Sequence, residues 1–234
     1  MNAVIGTLSA SQPIASSVDA MAAEDLRALA WLHEIERKPT VLSDLYHSGF
    51  PQTLSLLPPE HVAVTQMVAA LSALAEMPKE DEHRCTDDLA ADYAGIYLTH
   101  AMRAAPYESV WRDEDQLMMQ GPTFAVREFY QSHGMVVHNW RHMPDDHISH
   151  QLNFVAVLIE RGELKEAARF LKTHLLTWLP LFTKRVEERS ETSFYTALAT
   201  LTLACIQECL NRLPHVTVIP PVKTATANQS VCSS

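Results

Sequence analysis

Apolar residues recur along this chain at spacings of three and four, and almost nowhere at two. In "AAEDLRALAWLHEIER" (22–37), Leu26, Leu29, Ala30 and His33 fall on one face, acids come early and arginine late, which predicts an amphipathic helix. A shorter helix is predicted around residues 40–48. After Pro58 and Pro59, Val64, Met67, Val68, Leu71, Leu74 and Ala75 mark another. The acidic stretch "EMPKEDEHRCTDD" reads as a solvated connector. Thr86 reads as the N-cap of a helix carrying Leu89, Tyr93, Ile96 and Tyr97. "RAAPYESVWRDEDQLMMQG" (103–121) has no clean period and holds Pro106, so it reads as an ordered loop. Pro122 then starts a helix that Gly134 stops. The loop "MVVHNWRHM" leads to a helix beginning near Asp145. Further helices are predicted over 163–179, past a break at Pro180, and over 191–212, where Phe194, Leu198, Leu201, Cys205 and Cys209 form one seam. "HVTVI" (215–219) is at most one short, isolated strand. The pattern predicts an all-α, bundle-like single domain over 20–213, with loose segments at 1–19 and 214–234.

Composition sharpens this picture. Only 6 glycines are present, and neither a GxxxxGK[ST] nor a GxGxxG cradle occurs, so nucleotide binding is not predicted. GxSxG and HExxH are also missing. Glu80-x-x-His83 is the one Glu-x-x-His pair, and it lies in the acidic connector, where di-iron ligands do not converge. The formal net charge of -10 disfavours nucleic acid and favours a basic partner. Cys85, Cys205, Cys209 and Cys232 form no CxxC pair and read as reduced thiols rather than metal ligands. The N-terminus carries no positive charge before Arg27, so it makes a poor secretory or transit signal. No stretch reaches the ~18 to 20 apolar residues of a membrane span, and a cytoplasmic protein is expected.

"MPDDHISHQLNF" (143–154) is the stretch richest in chemistry. Pro144 and Asp145 suit a helix start, with Asp145 as N-cap and Asp146 as the freer acid in the first turn. Ile148, Leu152, Val155 and Ile159 make the helix broadly apolar. A capped core helix is therefore one reading. A metal-binding or enzymatic cluster of Asp146, His147 and His150 is another, with His138 and His142 nearby. Docking of a peptide, or an adaptor role for some other partner, stays open.

Taken together, "PDDHI" after "REFYQSHGM", "LAADYAGIYL", "APYESVWRDEDQLMMQGPTFAVREFY" and "HLLTWLPLFTKRVEERSETSFYTALATLTL" resemble the chaperones that mature molybdenum-containing oxidoreductases. These are the TorD, DmsD and NarJ proteins, and the order and spacing are closest to the TorD/DmsD branch. The resemblance spans roughly residues 24–213. It implies a non-enzymatic cytoplasmic protein without a cofactor or metal. Its partner is the precursor of a DMSO or TMAO reductase, recognised through the twin-arginine signal peptide and held until its cofactor is loaded. Carried onto this chain, the peptide-binding residues are Pro144, Asp145, Asp146 and His147, with Pro106, Tyr107, Val110 and Trp111 from the proline-aromatic loop. Tyr107 stands where relatives often have tryptophan, and Gln151 where many have glutamate. Physical chemistry suits such a receptor. Guanidinium groups pair with carboxylates through two parallel hydrogen bonds, and Trp111 can stack on one. An apolar groove, with Met118 and Met119 as adaptable lining, takes the hydrophobic segment as a helix. The resemblance further implies a monomer or a segment-swapped homodimer, with 103–121 or 133–144 as the hinge, and neither nucleic acid nor stable membrane insertion.

Overall fold

The three-and-four spacing becomes a layered helical domain because each apolar stripe is buried against another. The computed structural model describes residues 17–99 and 102–217. The helices are α1 (Ser17–Glu34), α2 (Pro39–His47), α3 (Val62–Ala75), α4 (Glu82–Tyr93), α5 (Glu108–Arg112), α6 (Gly121–Ser132), α7 (Ile148–Glu160), α8 (Leu164–Thr173), α9 (Leu175–Arg189) and α10 (Ser193–Arg212). A π-helical turn, Ala94–Leu98, prolongs α4. Among the described residues there is no strand, only one antiparallel bridge between Tyr107 and His147. The all-α expectation therefore holds. The expected loose ends fall largely outside the described residues, as do Cys232 and part of "HVTVI".

α1 and α7 share the most extensive helix–helix contact, and α10 lies between α3 and α9. Leu26, Leu29, Leu152, Val155, Leu198 and Leu201 are fully sealed in this core. Each such side chain contributes about 1.5–3 kcal/mol of burial. α10 is long and apolar enough to cross a bilayer, yet Phe194, Leu198, Leu201, Cys205 and Ile206 are packed inside the domain, so it serves as a core helix. Cys205 and Cys209 are buried free thiols, and Cys85 is a half-buried one.

His33 joins three elements. Its Nδ1 lies 2.6 Å from the Tyr97 hydroxyl and its Nε2 2.9 Å from Thr202 Oγ1. Thr202 already donates to the Leu198 carbonyl, so it accepts from the imidazole Nε2–H, and Nδ1 accepts from Tyr97. Burial pushes this imidazole down to about 3, so it stays neutral at ordinary pH.

Three local expectations change. The stretch 103–121, read as a loop, carries the short helix α5, Glu108–Arg112. Thr86 does not cap a helix: α4 begins at Glu82, and the Thr86 hydroxyl donates back to the Glu82 carbonyl at 2.7 Å. Part of the acidic stretch is thus helical. Pro180 lies within α9 rather than at a break, because Trp178, Leu179, Phe182 and Val186 are all buried and their packing outweighs the one lost hydrogen bond. The chain breaks instead at His174, where φ is -120° and ψ is -88°.

Candidate peptide-binding site

The sequence-predicted residues come together where the segment 104–112 lies against the start of α7. Pro106 accepts from the Ile148 amide at 2.9 Å, and the Glu108 amide reaches the Asp146 carbonyl at 3.3 Å. These contacts flank the Tyr107–His147 bridge. The Tyr107 ring meets the His147 ring edge-on, 5.0 Å between centroids. Burial, with nearby Asp146 adding to it, pushes the Tyr107 hydroxyl up to about 12.

The roles differ from those read in the sequence. His147, not Asp145, is the N-cap of α7, and its Nδ1 accepts from the Ser149 amide at 3.2 Å. Asp145 is buried and pairs with Arg127, Nη2 to Oδ2 2.7 Å. Asp146 is not the freer acid. It is fully buried, and its Oδ2 accepts from the Ser109 amide at 2.8 Å, capping α5 from another part of the chain. Burial, and next to it the Glu108 carboxylate, hold its pKa above the usual value. The Ser109 and Thr123 side chains pull the other way, although neither hydroxyl closes to a full hydrogen bond. Pro144 and Pro106 are buried as well. Of the eight residues, Val110 and Trp111 are the ones that stay half-open to solvent.

Those two line a groove of ≈ 540 Å³ with Ala105, Leu181, Asp115 and Gln116, rimmed by Arg103 and Arg185. Trp111 is fixed by its indole N–H, which donates to the Ala105 carbonyl at 2.8 Å. Arg185 sits over its ring at 5.9 Å. Leu181, in the groove wall, is 52% exposed.

Sequence reasoning missed the centre of the assembly, Glu108. Its carboxylate is fully buried. It accepts from Arg112 on its own helix, from His174 Nδ1 at 3.1 Å and from Gln151 Nε2 at 3.0 Å. Gln151 also donates to the Asp146 carbonyl at 3.0 Å. The Glu108-x-x-x-Arg112 spacing was the one available signal, and it reads as an ordinary helix-surface pair. Arg127 was hidden in the same way. Its guanidinium lies 5.5 Å from the Phe124 ring and 4.8 Å from the Trp140 ring. Behind it, the Tyr130 ring tilts against Phe154, which meets Phe170 edge-on, and the Tyr130 hydroxyl donates to the Asp145 carbonyl at 3.0 Å.

His147 and His150 face each other at 6.1 Å between ring centroids. Among the described residues no group of three or more histidines, cysteines or carboxylates is arranged to hold a metal ion.

The family model described as nitrate reductase delta subunit matches residues 60–184, which include all of this assembly except Arg185 at the groove rim. The chain is 32% identical over 201 residues to the chaperone protein TorD of Vibrio cholerae serotype O1 (strain ATCC 39541), covering 78% of this chain and 90% of that one. The chain belongs to this family. Within the TorD members, the protein from Psychrobacter sp. (strain PRwf-1) is 33% identical over 150 residues, 59% of this chain and 66% of its own. The Vibrio vulnificus (strain YJ016) TorD is 27% identical over 183 residues, 73% of this chain and 81% of its own. The expected family is thereby established, and with it a chaperone of the TorD type rather than an enzyme.

Proposed function

We propose that this TorD-type chaperone binds the twin-arginine signal peptide of a molybdoenzyme precursor of the DMSO/TMAO reductase type, in the cytoplasm, and holds the precursor until its cofactor is inserted. The observation that carries this reading is the pairing of an open apolar groove with carboxylates directly behind it. Val110, Trp111 and Leu181 wall the groove; buried Glu108 belongs to the same segment, Asp146 is hydrogen-bonded to it, and Asp145 is the next residue along. A leader with two guanidinium groups followed by an apolar helix matches both halves. The eight residues named from sequence divide their labour on this reading. Val110 and Trp111 touch the leader, while Pro106, Tyr107, Pro144 and His147 shape the wall. Asp145 and Asp146 supply negative charge. The exposed acids Glu114 and Asp115 and the net charge of -10 add long-range attraction for a cationic segment.

The test is a calorimetric titration of the purified protein with a synthetic leader peptide. Saturable binding is expected, weakened at least ~10-fold when both leader arginines become glutamine, since each charge-assisted pair is worth about 1.5–3 kcal/mol. Binding indifferent to that change refutes the reading.

A further inference from the structure

Two of the buried carboxylates of this assembly are already occupied, and each is occupied by an arginine of this chain. Arg112 holds Glu108, and Arg127 holds Asp145. In both pairs the acid is buried and the base is not: side-chain exposure is 0% for Glu108 against 38% for Arg112, and 2% for Asp145 against 25% for Arg127. The arginines therefore close the carboxylates off from solvent like stoppers. They come from different helices, α5 and α6, yet converge on neighbouring positions. The acids they hold sit on adjoining segments, since the Glu108 backbone amide donates to the carbonyl of Asp146, the residue next to Asp145. The Arg127 stopper is seated as a guanidinium guest would be, with the carboxylate at one end and the Phe124 and Trp140 rings within 5.5 and 4.8 Å.

We infer that Arg112 and Arg127 are internal stand-ins for the arginine pair of a bound leader, and that binding proceeds by exchange. The incoming guanidinium groups take over Glu108 and Asp145, and the chain's own two swing out into solvent. Both carboxylates stay compensated throughout, which avoids the large cost of leaving a buried anion unpaired. The same occupancy makes the empty protein self-blocked, so a peptide lacking two guanidinium groups gains little by competing. This inference rests on the leader-binding reading and adds to it a mechanism of selection.

The test uses the full chain with the substitutions Arg112→Gln and Arg127→Gln, and Arg84→Gln as a charge-matched control on exposed α4. Glu108 keeps His174 and Gln151 when Arg112 is lost, so Arg112→Gln retains a folded site even if Arg127→Gln proves unstable. Affinity is measured for a leader peptide with two arginines and for its dilysine counterpart. Removing either stopper is expected to tighten the diarginine peptide about tenfold, equivalent to 1.4 kcal/mol. The dilysine peptide and the Arg84→Gln control are expected to show no such gain. Unchanged or weaker binding in both stopper variants overturns exchange while leaving leader binding intact. Equal tightening of the dilysine peptide, or by Arg84→Gln, reduces the effect to net charge and overturns it too. Absence of binding to every variant overturns the leader reading itself.

Discussion

Gln151 shows how one side chain tunes a buried site. Its amide stands between the Glu108 carboxylate and the Asp146 carbonyl, donating to both at 3.0 Å. A glutamate here would lose both donations and place a third carboxylate in a pocket that already holds two. Gln151→Glu is therefore expected to destabilise the protein at neutral pH by roughly 3–5 kcal/mol, the cost of an uncompensated buried charge. Denaturant unfolding at pH 7.5 measures this, and a loss under 1 kcal/mol contradicts the packing argument. The departure from glutamate was visible in the sequence, but its consequence was not. Only the fold reveals that position 151 faces an acid 43 residues away. The aspartates were misread for the same reason. Beside a proline, Asp145 and Asp146 look like a cap and a free acid. Arg127, 18 positions earlier, and Ser109, 37 positions earlier, take them into the interior.

At the scale of elements, buried aspartates repeatedly knot one helix to the start of another segment. Asp146 caps α5, and Asp25 on α1 accepts from the Ser55 amide, the Ser55 hydroxyl and the Leu56 amide within 2.8 Å. Asp92 on α4 does the same for α10, accepting from Thr192 N at 2.7 Å, Thr192 Oγ1 at 2.6 Å and Glu191 N at 3.1 Å. Replacing Asp92 with alanine leaves Glu191 and the N-cap Thr192, at the entry to α10, without these acceptors. A loss of about 2–4 kcal/mol is expected, from three missing hydrogen bonds to a buried carboxylate. Amide exchange at 191–196 should quicken more than exchange in α1. Uniform quickening, or none, would show that α10 does not depend on this cap. Helix faces were legible because burial writes itself into a local three-and-four rhythm, as at Leu26, Leu29 and His33 or along Phe194 to Cys209. Knots were not legible, since partners 30 and 100 residues apart leave no periodic trace. Pro180 misled for a related reason: a proline is a local signal to stop, and the buried row Trp178, Leu179, Phe182 and Val186 is a tertiary reason to continue.

For the whole molecule, the question is how the helices beyond the family-matched region 60–184 are held to it. α1 precedes that region and the whole of α10 follows it, and the His33 triad ties both to Tyr97 within it. Tyr97 in turn lies 6.3 Å from the His147 ring, so the knot borders the candidate site. This arrangement works only with a neutral imidazole. The folded pKa is lowered by burial from 6.5 to about 3, so the native state binds fewer protons than the unfolded chain across that interval. His33 therefore contributes stability that is fully present above pH 6.5 and is lost as pH falls, at about 1.4 kcal/mol per unit. Half-buried His150, also lowered by burial, acts in the same direction. Asp25 and Asp146, raised by burial, act in the opposite direction, since their carboxyls are easier to keep neutral in acid. Comparison with a His33→Gln variant isolates the imidazole, because glutamine can accept from Tyr97 and donate to Thr202 but cannot titrate. Between pH 7 and pH 5 the unaltered protein should lose about 2 kcal/mol more than the variant, read from urea unfolding at each pH. Parallel stability curves for the two proteins would mean that His33 is protonated within the fold, and that the triad is not what joins the outer helices to the rest.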